Sequence, residues 1–75
     1  MNTVYILEIA SCAPMVFRNS ETAFETAKTR MILWGYKEDS PEIKAMEYAL
    51  NCAYYDGSFW YEDLIQCRPV EFFDY

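Results

Sequence analysis

The segment 3-TVYILEIA-10 is the clearest β-strand of the sequence, and the fold class depends on it. Both of its alternating sets of side chains are apolar: Val4 and Ile6 in one set, and Tyr5, Leu7 and Ile9 in the other. Strands that are apolar on both faces are typical of the interior of a covered sheet. This segment therefore predicts a central strand that is covered on both sides.

A hairpin and a helix are predicted directly after this strand. Residues 11–14, with the sequence SCAP, form a turn, and 15-MVFR-18 is the return strand. Asn19 or Ser20 is a suitable N-terminal cap for the helix that follows. The apolar residues of this helix recur at spacings of three and four: Phe24, Ala27, Met31 and Trp34. Gly35 then stands where a C-terminal cap is expected.

A second helix is predicted to begin at Ser40, because an N-cap residue, a proline and an acid follow one another there. Its helical pattern runs from Ile43 to Ala53 and comprises two neighbouring apolar stripes. One stripe contains Ile43, Met46, Leu50 and Ala53, and the other contains Ala45, Tyr48, Ala49 and Cys52. An apolar surface this broad indicates contact with both the sheet and the first helix, or with another molecule.

The stretch 53-AYYDGSFWYED-63 holds five aromatic rings and three carboxylates without a basic residue. Gly57 can end the second helix in a left-handed cap, or Asp56 and Gly57 can form a two-residue hairpin turn. The helix end is favoured, because the helical pattern before it is unbroken. Residues 58–67 then form one strand, and Pro69 predicts either the end of a strand or a position on a sheet edge.

The predicted element order is β-β-α-α-β, to which the last residues of the chain can add a short strand. This order predicts a single α+β domain over residues 1–75, in which an antiparallel sheet has two helices on one face. The first residues lack the basic stretch of a signal peptide, and no apolar run approaches about 20 residues. We therefore expect a cytoplasmic protein.

Negative charge is concentrated in the second half of the chain. The formal net charge is −6, and residues 1–37 carry +1 whereas residues 38–75 carry −7. Direct binding to nucleic acids or to anionic membranes needs clustered Lys and Arg, so both are disfavoured. A partner protein with a basic surface is favoured, because complementary fields accelerate encounter and orient the two molecules.

The sequence lacks the usual sets of catalytic and metal-binding residues. It has no histidine and only two glycines, so it offers neither the common neutral-pH acid–base group nor a phosphate-binding loop. The acid pairs Glu38-Asp39 and Glu62-Asp63 lack the pattern of a calcium loop. The cysteines are odd in number and widely spaced, which predicts free buried thiols: Cys12, Cys52 and Cys67. We therefore expect no enzyme, no cofactor and no metal site.

Carboxylates among Tyr and Trp are typical of a protein interface, because the rings supply rigid contact area and the acids meet Arg or Lys of a partner. In a strand, Trp60 points to one side of the sheet, and Phe59 and Tyr61 point to the other. On a sheet with helices on one face, one of these sets must be exposed or covered by something else. The candidate partner-binding residues form two sets. The first comprises Asp56, Glu62, Asp63 and Glu71 for charge with Tyr55, Trp60 and Tyr61 as anchors, and the second comprises Glu38, Asp39 and Glu42.

The whole chain, with TVYILEIAS, then PMVFRNSETAFETAKTRM and an acidic aromatic tail, resembles the short proteins encoded by bacteriophages. Among these are the anti-CRISPR and other anti-defence inhibitors, and the resemblance lies in size, charge and the layout of strands and helices. It implies a stoichiometric inhibitor in the cytoplasm of a bacterial host cell, which binds and blocks a nucleic-acid-handling or defence complex such as a CRISPR-Cas effector. Some such proteins present acids where the host complex expects phosphates. The alternative is a small homo-oligomeric structural domain, such as a homodimer, that buries its apolar surface against a copy of itself.

Overall fold

The computed structural model describes residues 2–72, so Met1 and the end of the predicted terminal segment, residues 73–75, lie outside the described residues. A four-stranded antiparallel sheet and two α-helices confirm the predicted α+β class. In chain order the elements are β1 (Asn2–Ile9), β2 (Met15–Phe17), α1 (Ser20–Leu33), α2 (Pro41–Asn51), a 3₁₀ turn (Ala53–Tyr55), β3 (Phe59–Tyr61) and β4 (Ile65–Phe72). The strand order across the sheet is β2-β1-β4-β3, so the first and last strands form the central pair.

β1 is a central strand, as predicted, but only one of its faces is covered. Leu7 and Ile9 point towards the helices and are buried. Their partners across the ladder, Cys67 and Ile65, are buried with them. Ile6, on the other face, is partly exposed. The prediction of cover on both sides is therefore wrong, because both helices pack against the same face of the sheet.

α1 has both of the predicted end signals. Asn19 is its N-cap, and the side-chain Oδ1 of Asn19 accepts a hydrogen bond from the backbone N–H of Thr22 at 2.8 Å. After the helix, Gly35 adopts a left-handed φ of 106°. The N–H of the next residue, Tyr36, donates to the carbonyl oxygen of Met31 at 3.1 Å, as in a Schellman motif.

α2 begins as predicted and ends earlier. Ser40 is its N-cap, with Oγ accepting a hydrogen bond from the N–H of Ile43 at 3.4 Å, and a proline occupies the first helical position. The helix ends at Asn51, because the backbone at Cys52 becomes extended, with φ −84° and ψ 116°. Ala53, at the end of the predicted helical pattern, belongs to the 3₁₀ turn instead.

The chain leaves the 3₁₀ turn through two left-handed residues, Asp56 with φ 56° and Gly57 with φ 89°. Gly57 therefore follows the 3₁₀ turn rather than capping α2. The alternative two-residue hairpin does not form either, since residues 53–55 are not a strand. A Cβ at Gly57 would lie 2.7 Å from Cε1 of Tyr5, so glycine is needed here for close approach as well as for backbone conformation.

The region predicted as one strand over residues 58–67 is a hairpin of two strands. β3 ends at Tyr61, and Glu62 adopts a left-handed φ of 48°. The N–H of Leu64 then donates to the carbonyl oxygen of Tyr61 at 3.1 Å, and β4 returns antiparallel to β3. The sequence did not predict this turn, because residues 62–64 contain no Gly, Pro or Asn, and Asp63 alone is a weak turn signal.

β4 passes through Pro69, so the strand does not end at this residue, and β3 pairs with β4 only as far as Cys67, so Pro69 lies at a local edge of the sheet, as the second alternative predicted. The N–H of Ala10 donates to the carbonyl oxygen of Leu64 at 2.8 Å, which marks a hydrogen-bonded pair. Bonded and non-bonded pairs alternate along an antiparallel ladder, so Pro69 occupies a non-hydrogen-bonded pair opposite Tyr5. Its nitrogen faces the side on which β3 reaches only as far as Cys67. Pro69 therefore removes no hydrogen bond from the sheet.

The core lies between the inner face of the sheet and the two helices. α1 packs on β1 and β2, and α2 packs on β3. The rings of Phe24 on α1 and Phe59 on β3 meet edge to face, with centroids 5.6 Å apart. The other buried apolar side chains come from both layers: Leu7, Ile9, Ala23, Ala27, Met31, Ile43, Met46, Ala49, Ile65 and Cys67. Trp34, predicted on the same helix face, follows the end of α1 and is exposed.

Candidate functional site

Trp60 is the ring of β3 that points away from the helices. Phe59 is fully buried in the core and Tyr61 faces the same side, whereas Trp60 is 45% exposed. β3 is an edge strand, and at this edge the ring of Trp60 packs against Tyr55 with centroids 5.0 Å apart and planes at 89°. This edge of the sheet therefore carries a pair of aromatic side chains outside the core.

A groove of about 480 Å³ lies between α2 and β3, and we call it the α2–β3 groove. The side of α2 contributes Pro41, Glu42, Ala45, Tyr48 and Ala49, and the other side contributes Tyr55, Trp60, Tyr61 and Glu62. The lining is thus mainly apolar, with four aromatic rings and two carboxylates. A concave apolar surface with a few polar groups is the usual composition of a binding site.

The second apolar stripe of α2 forms one wall of the groove. The first stripe enters the core through Ile43 and Met46. Ala45 and Tyr48 belong to the second stripe and face outwards, and Tyr48 is 76% exposed. The broad apolar surface predicted for this helix therefore has two parts: one packs in the core and the other lines the groove.

A hydrogen bond between two phenols holds Tyr61 in place. The Oη atoms of Tyr61 and Tyr36 lie 2.7 Å apart, and the two rings meet edge to face with centroids 5.6 Å apart. The hydrogen bond to Tyr36, followed by desolvation and by the negative charges of Glu62 and Glu42, raises the pKa of Tyr61 to about 12. Tyr61 is therefore a neutral phenol near neutral pH, which suits a fixed contact surface.

The fold divides the first set of predicted candidate residues. Four members line the α2–β3 groove: Tyr55, Trp60, Tyr61 and Glu62. Asp63 lies beside the groove, in a shallow depression that it shares with Trp60. Asp56 and Glu71 lie together in a different depression, which the far end of β4 helps to line. The residues of this set are therefore distributed over three depressions rather than gathered in one.

The second set of candidate residues is also divided. The Nζ of Lys28 lies 3.3 Å from Oε1 of Glu38, and both residues share a depression with Asp39 and a further lysine. The negative charge of that patch is therefore partly neutralised. Glu42 lies in the α2–β3 groove with Glu62. The structure thus brings together two carboxylates that the sequence assigned to separate sets.

Two aromatic residues of the site were not predicted as candidates. Tyr48 was predicted only as part of the second apolar stripe of the second helix. An aromatic residue on a stripe that does not pack in the core is the sequence feature that could have identified it. Tyr36 lies in the connection between the helices, and its bond to Tyr61 joins residues that are far apart in the chain. No local pattern predicts such a contact.

The side of the sheet that faces away from the helices is a second apolar surface, which we call the outer sheet face. Four aliphatic side chains lie on it: Val4, Ile6, Val16 and Val70. Val16 is 64% exposed, and on the same face Nε of Arg68 lies 3.6 Å from Oε1 of Glu8. Two helices that pack on one face leave the other uncovered. The apolar set of β1 that contains Ile6 therefore lies outside the core.

The thiols are separate from both surfaces. All three cysteines are free, as predicted, but the predicted burial holds only for Cys67, since Cys12 and Cys52 are half-buried. Burial in the core raises the pKa of the Cys67 thiol to about 11, so it is protonated near neutral pH. Within residues 2–72, no three Cys, Asp or Glu side chains converge as a metal site requires. The chemistry of the groove is therefore that of its rings and its two carboxylates.

In the part of the chain that the structure describes, the helices are too short or too polar to cross a membrane. Comparisons with protein family models, with curated proteins and with solved structures found no match to this chain.

Proposed function

We propose that this protein is a non-enzymatic protein-binding module that docks its partner in the α2–β3 groove. The observation that carries the proposal is the exposure of Tyr48 and Trp60 on a concave surface, at 76% and 45%. Exposed Tyr and Trp rings supply rigid contact area and are enriched among the residues that dominate binding energy. Tyr61, fixed by its bond to Tyr36, adds a preorganised wall.

The partner of this groove has a basic surface. Glu42 and Glu62 line the groove, and among the described lining residues there is no Lys or Arg. Proteins that handle nucleic acids expose Lys and Arg to phosphates, so they offer the complementary charge. We therefore include in the proposal the phage-type function expected from the sequence: stoichiometric inhibition of a host nucleic-acid-handling or defence complex by occupying its surface.

Affinity capture from bacterial lysate, followed by binding assays with the purified captured protein, tests the docking site. We expect capture at low salt, weaker capture at high salt, and loss of binding when Tyr48 and Trp60 are both replaced by Ala. Leu33→Ala is the matched control, because Leu33 is 72% exposed on α1 and does not line the groove. Equal binding by the groove variant and the control variant would remove the proposal.

The outer sheet face supports a second candidate function, that of a small homo-oligomeric structural domain. Its four aliphatic residues and the 64% exposure of Val16 favour burial against a copy of the chain. Light scattering at tens of micromolar protein measures the oligomeric state. A dimer that Val16→Lys converts to a monomer would support this function, and a monomeric wild type would remove it.

A further inference from the structure

We propose that the α2–β3 groove receives an arginine side chain that projects from the bound partner. This inference rests on the proposed function and specifies the chemistry of its site. Three features carry it: the aromatic lining, two carboxylates without a cationic neighbour, and the apolar positions between them.

The aromatic rings are placed to contact a cation. Tyr48, Tyr55, Trp60 and Tyr61 all line the groove, and the faces of such rings attract a cation that lies within about 6 Å of the centroid. Trp60 is 45% exposed and Tyr48 is 76% exposed, so both rings keep surface that an occupant can contact. The hydrogen bond to Tyr36 fixes Tyr61 before anything binds.

The two carboxylates lack a cationic partner of their own. Glu42 comes from the first turn of α2, and Glu62 comes from the turn between β3 and β4. Neither forms an ion pair among residues 2–72, whereas Glu38 and Glu8 do. The groove therefore holds a formal charge of −2 that no described Lys or Arg side chain neutralises through an ion pair.

Arginine fits this combination better than the other side chains. Its planar guanidinium stacks on aromatic rings and donates a fork of N–H groups to carboxylates. Its aliphatic stem suits the apolar wall at Pro41, Ala45 and Ala49. Lysine offers a compact charge that does not stack, and an uncharged apolar side chain would leave both carboxylates unpaired.

Short peptides test the recognition without the natural partner. The probes are Ac-Gly-Arg-Gly-NH₂, the same peptide with lysine, and the same peptide with citrulline, which keeps the shape of arginine and lacks its charge. The chain has two tryptophans, so the indole N–H signals in an NMR titration report on Trp60, with Trp34 at the end of α1 as an internal control.

We expect the arginine peptide to shift the Trp60 signal with a dissociation constant on the order of millimolar, and to leave the Trp34 signal in place. The lysine peptide should bind several-fold more weakly, and the citrulline peptide should not bind. Equal shifts with arginine and citrulline would overturn the inference, as would equal binding of arginine and lysine or no shift with any peptide.

Matched acid variants separate this inference from the proposed function. Glu42→Gln with Glu62→Gln should raise the dissociation constant of the arginine peptide about tenfold, because charge-assisted hydrogen bonds are lost. Glu38→Gln with Asp39→Asn removes the same charge outside the groove and should change binding less than about twofold. Circular dichroism checks that each variant is folded.

The captured partner gives the separate readout. If the partner binds the Glu42→Gln, Glu62→Gln protein normally and fails to bind the Tyr48→Ala, Trp60→Ala protein, the groove docks a partner without recognising an arginine. This result would overturn the inference and leave the proposed function standing. If neither pair of substitutions weakens binding of the partner, the result contradicts both the inference and the proposed function. Loss of partner binding with both pairs of substitutions, together with the preference for the arginine peptide, supports both the inference and the proposed function.

Discussion

The phenols of Tyr36 and Tyr61 connect the segment between the helices to the edge strand. Replacing Tyr36 with Phe removes the hydrogen bond that contributes most to the raised pKa of Tyr61. We expect the pKa of Tyr61 to fall from about 12 towards its ordinary value of 10.0. Alkaline titration of tyrosinate absorbance measures this change, because a late-titrating phenol should disappear from the curve.

The same pair makes stability depend on pH in the alkaline range. Tyr61 holds its proton more tightly in the folded chain than in the unfolded chain. The contribution of Tyr61 to folding stability is therefore complete below pH 10 and is lost as the pH rises towards 12.

Tyr54→Phe is the matched control for the titration of the Tyr36→Phe protein, since the Tyr54 ring is exposed, and circular dichroism must show a folded chain at each pH. An unchanged titration in the Tyr36→Phe protein would contradict the assignment.

Gly57 and Gly35 both adopt positive φ but differ in their surroundings. A Cβ at Gly57 would lie 2.7 Å from Tyr5 and 3.3 Å from Ser20, whereas a Cβ at Gly35 meets nothing within 4 Å. A left-handed backbone costs an ordinary residue about 1–2 kcal/mol. We expect Gly35→Ala to lower the free energy of unfolding by about that amount and Gly57→Ala to lower it further. Urea denaturation measures both, and equal losses would show that the Tyr5 ring moves aside freely.

At the scale of elements, the cap of α1 settles a choice that the sequence left open. Asn19, rather than Ser20, accepts the hydrogen bond from the Thr22 N–H. We expect Asn19→Ala to lower the free energy of unfolding by about 1 kcal/mol, because an orphan backbone donor loses its partner. Thermal unfolding measures it. Asn51→Ala, an exposed change at the last residue of α2, is the control, and a loss as large as that of Asn19→Ala would argue against the cap.

The sequence predicted those element ends that local chemistry marks. Asn19, Ser40 and Gly35 act on backbone groups within a few residues of themselves, so their roles could be recognised without the fold. The turn after Tyr61 and the passage of β4 through Pro69 depend on which strand lies alongside. Strand alternation does not contain that information, so one predicted strand became two.

At the scale of the whole molecule, a small core makes single buried rings important. A domain of 75 residues has a free energy of unfolding of roughly 4–11 kcal/mol. Phe59→Ala removes the contact with Phe24 and leaves a cavity, which costs about 3–5 kcal/mol. We expect this variant to unfold at a much lower temperature than the wild type, because the loss is a large fraction of the total stability.

Thermal unfolding followed by circular dichroism measures the loss for Phe59→Ala. Val16→Ala is the control, because Val16 lies on the outer sheet face and is 64% exposed. It should melt close to the wild type. Similar melting temperatures for the two variants would contradict the position of Phe59 in the core.

The groove is a property of the assembled molecule. Glu42 lies in the first turn of α2, Tyr55 belongs to the 3₁₀ turn, and Trp60 and Glu62 flank the end of β3. The sequence predicted that Trp60 or its neighbours would be exposed, because a strand alternates and the helices cover one face. It did not predict that Glu42 would join them, because that depends on how α2 packs against β3.

The sequence by itself determined the α+β class, the two helices with their caps, the central first strand and the acidic second half, because periodicity, capping and charge act locally or add up along the chain. Only the tertiary structure decided that β4 pairs with β1 along the whole length of both strands, and that α2 packs against β3. These choices depend on the apolar area that distant elements can bury together. They separate Asp56 and Glu71 from Glu62, and they leave Trp60 at a groove that a partner can fill.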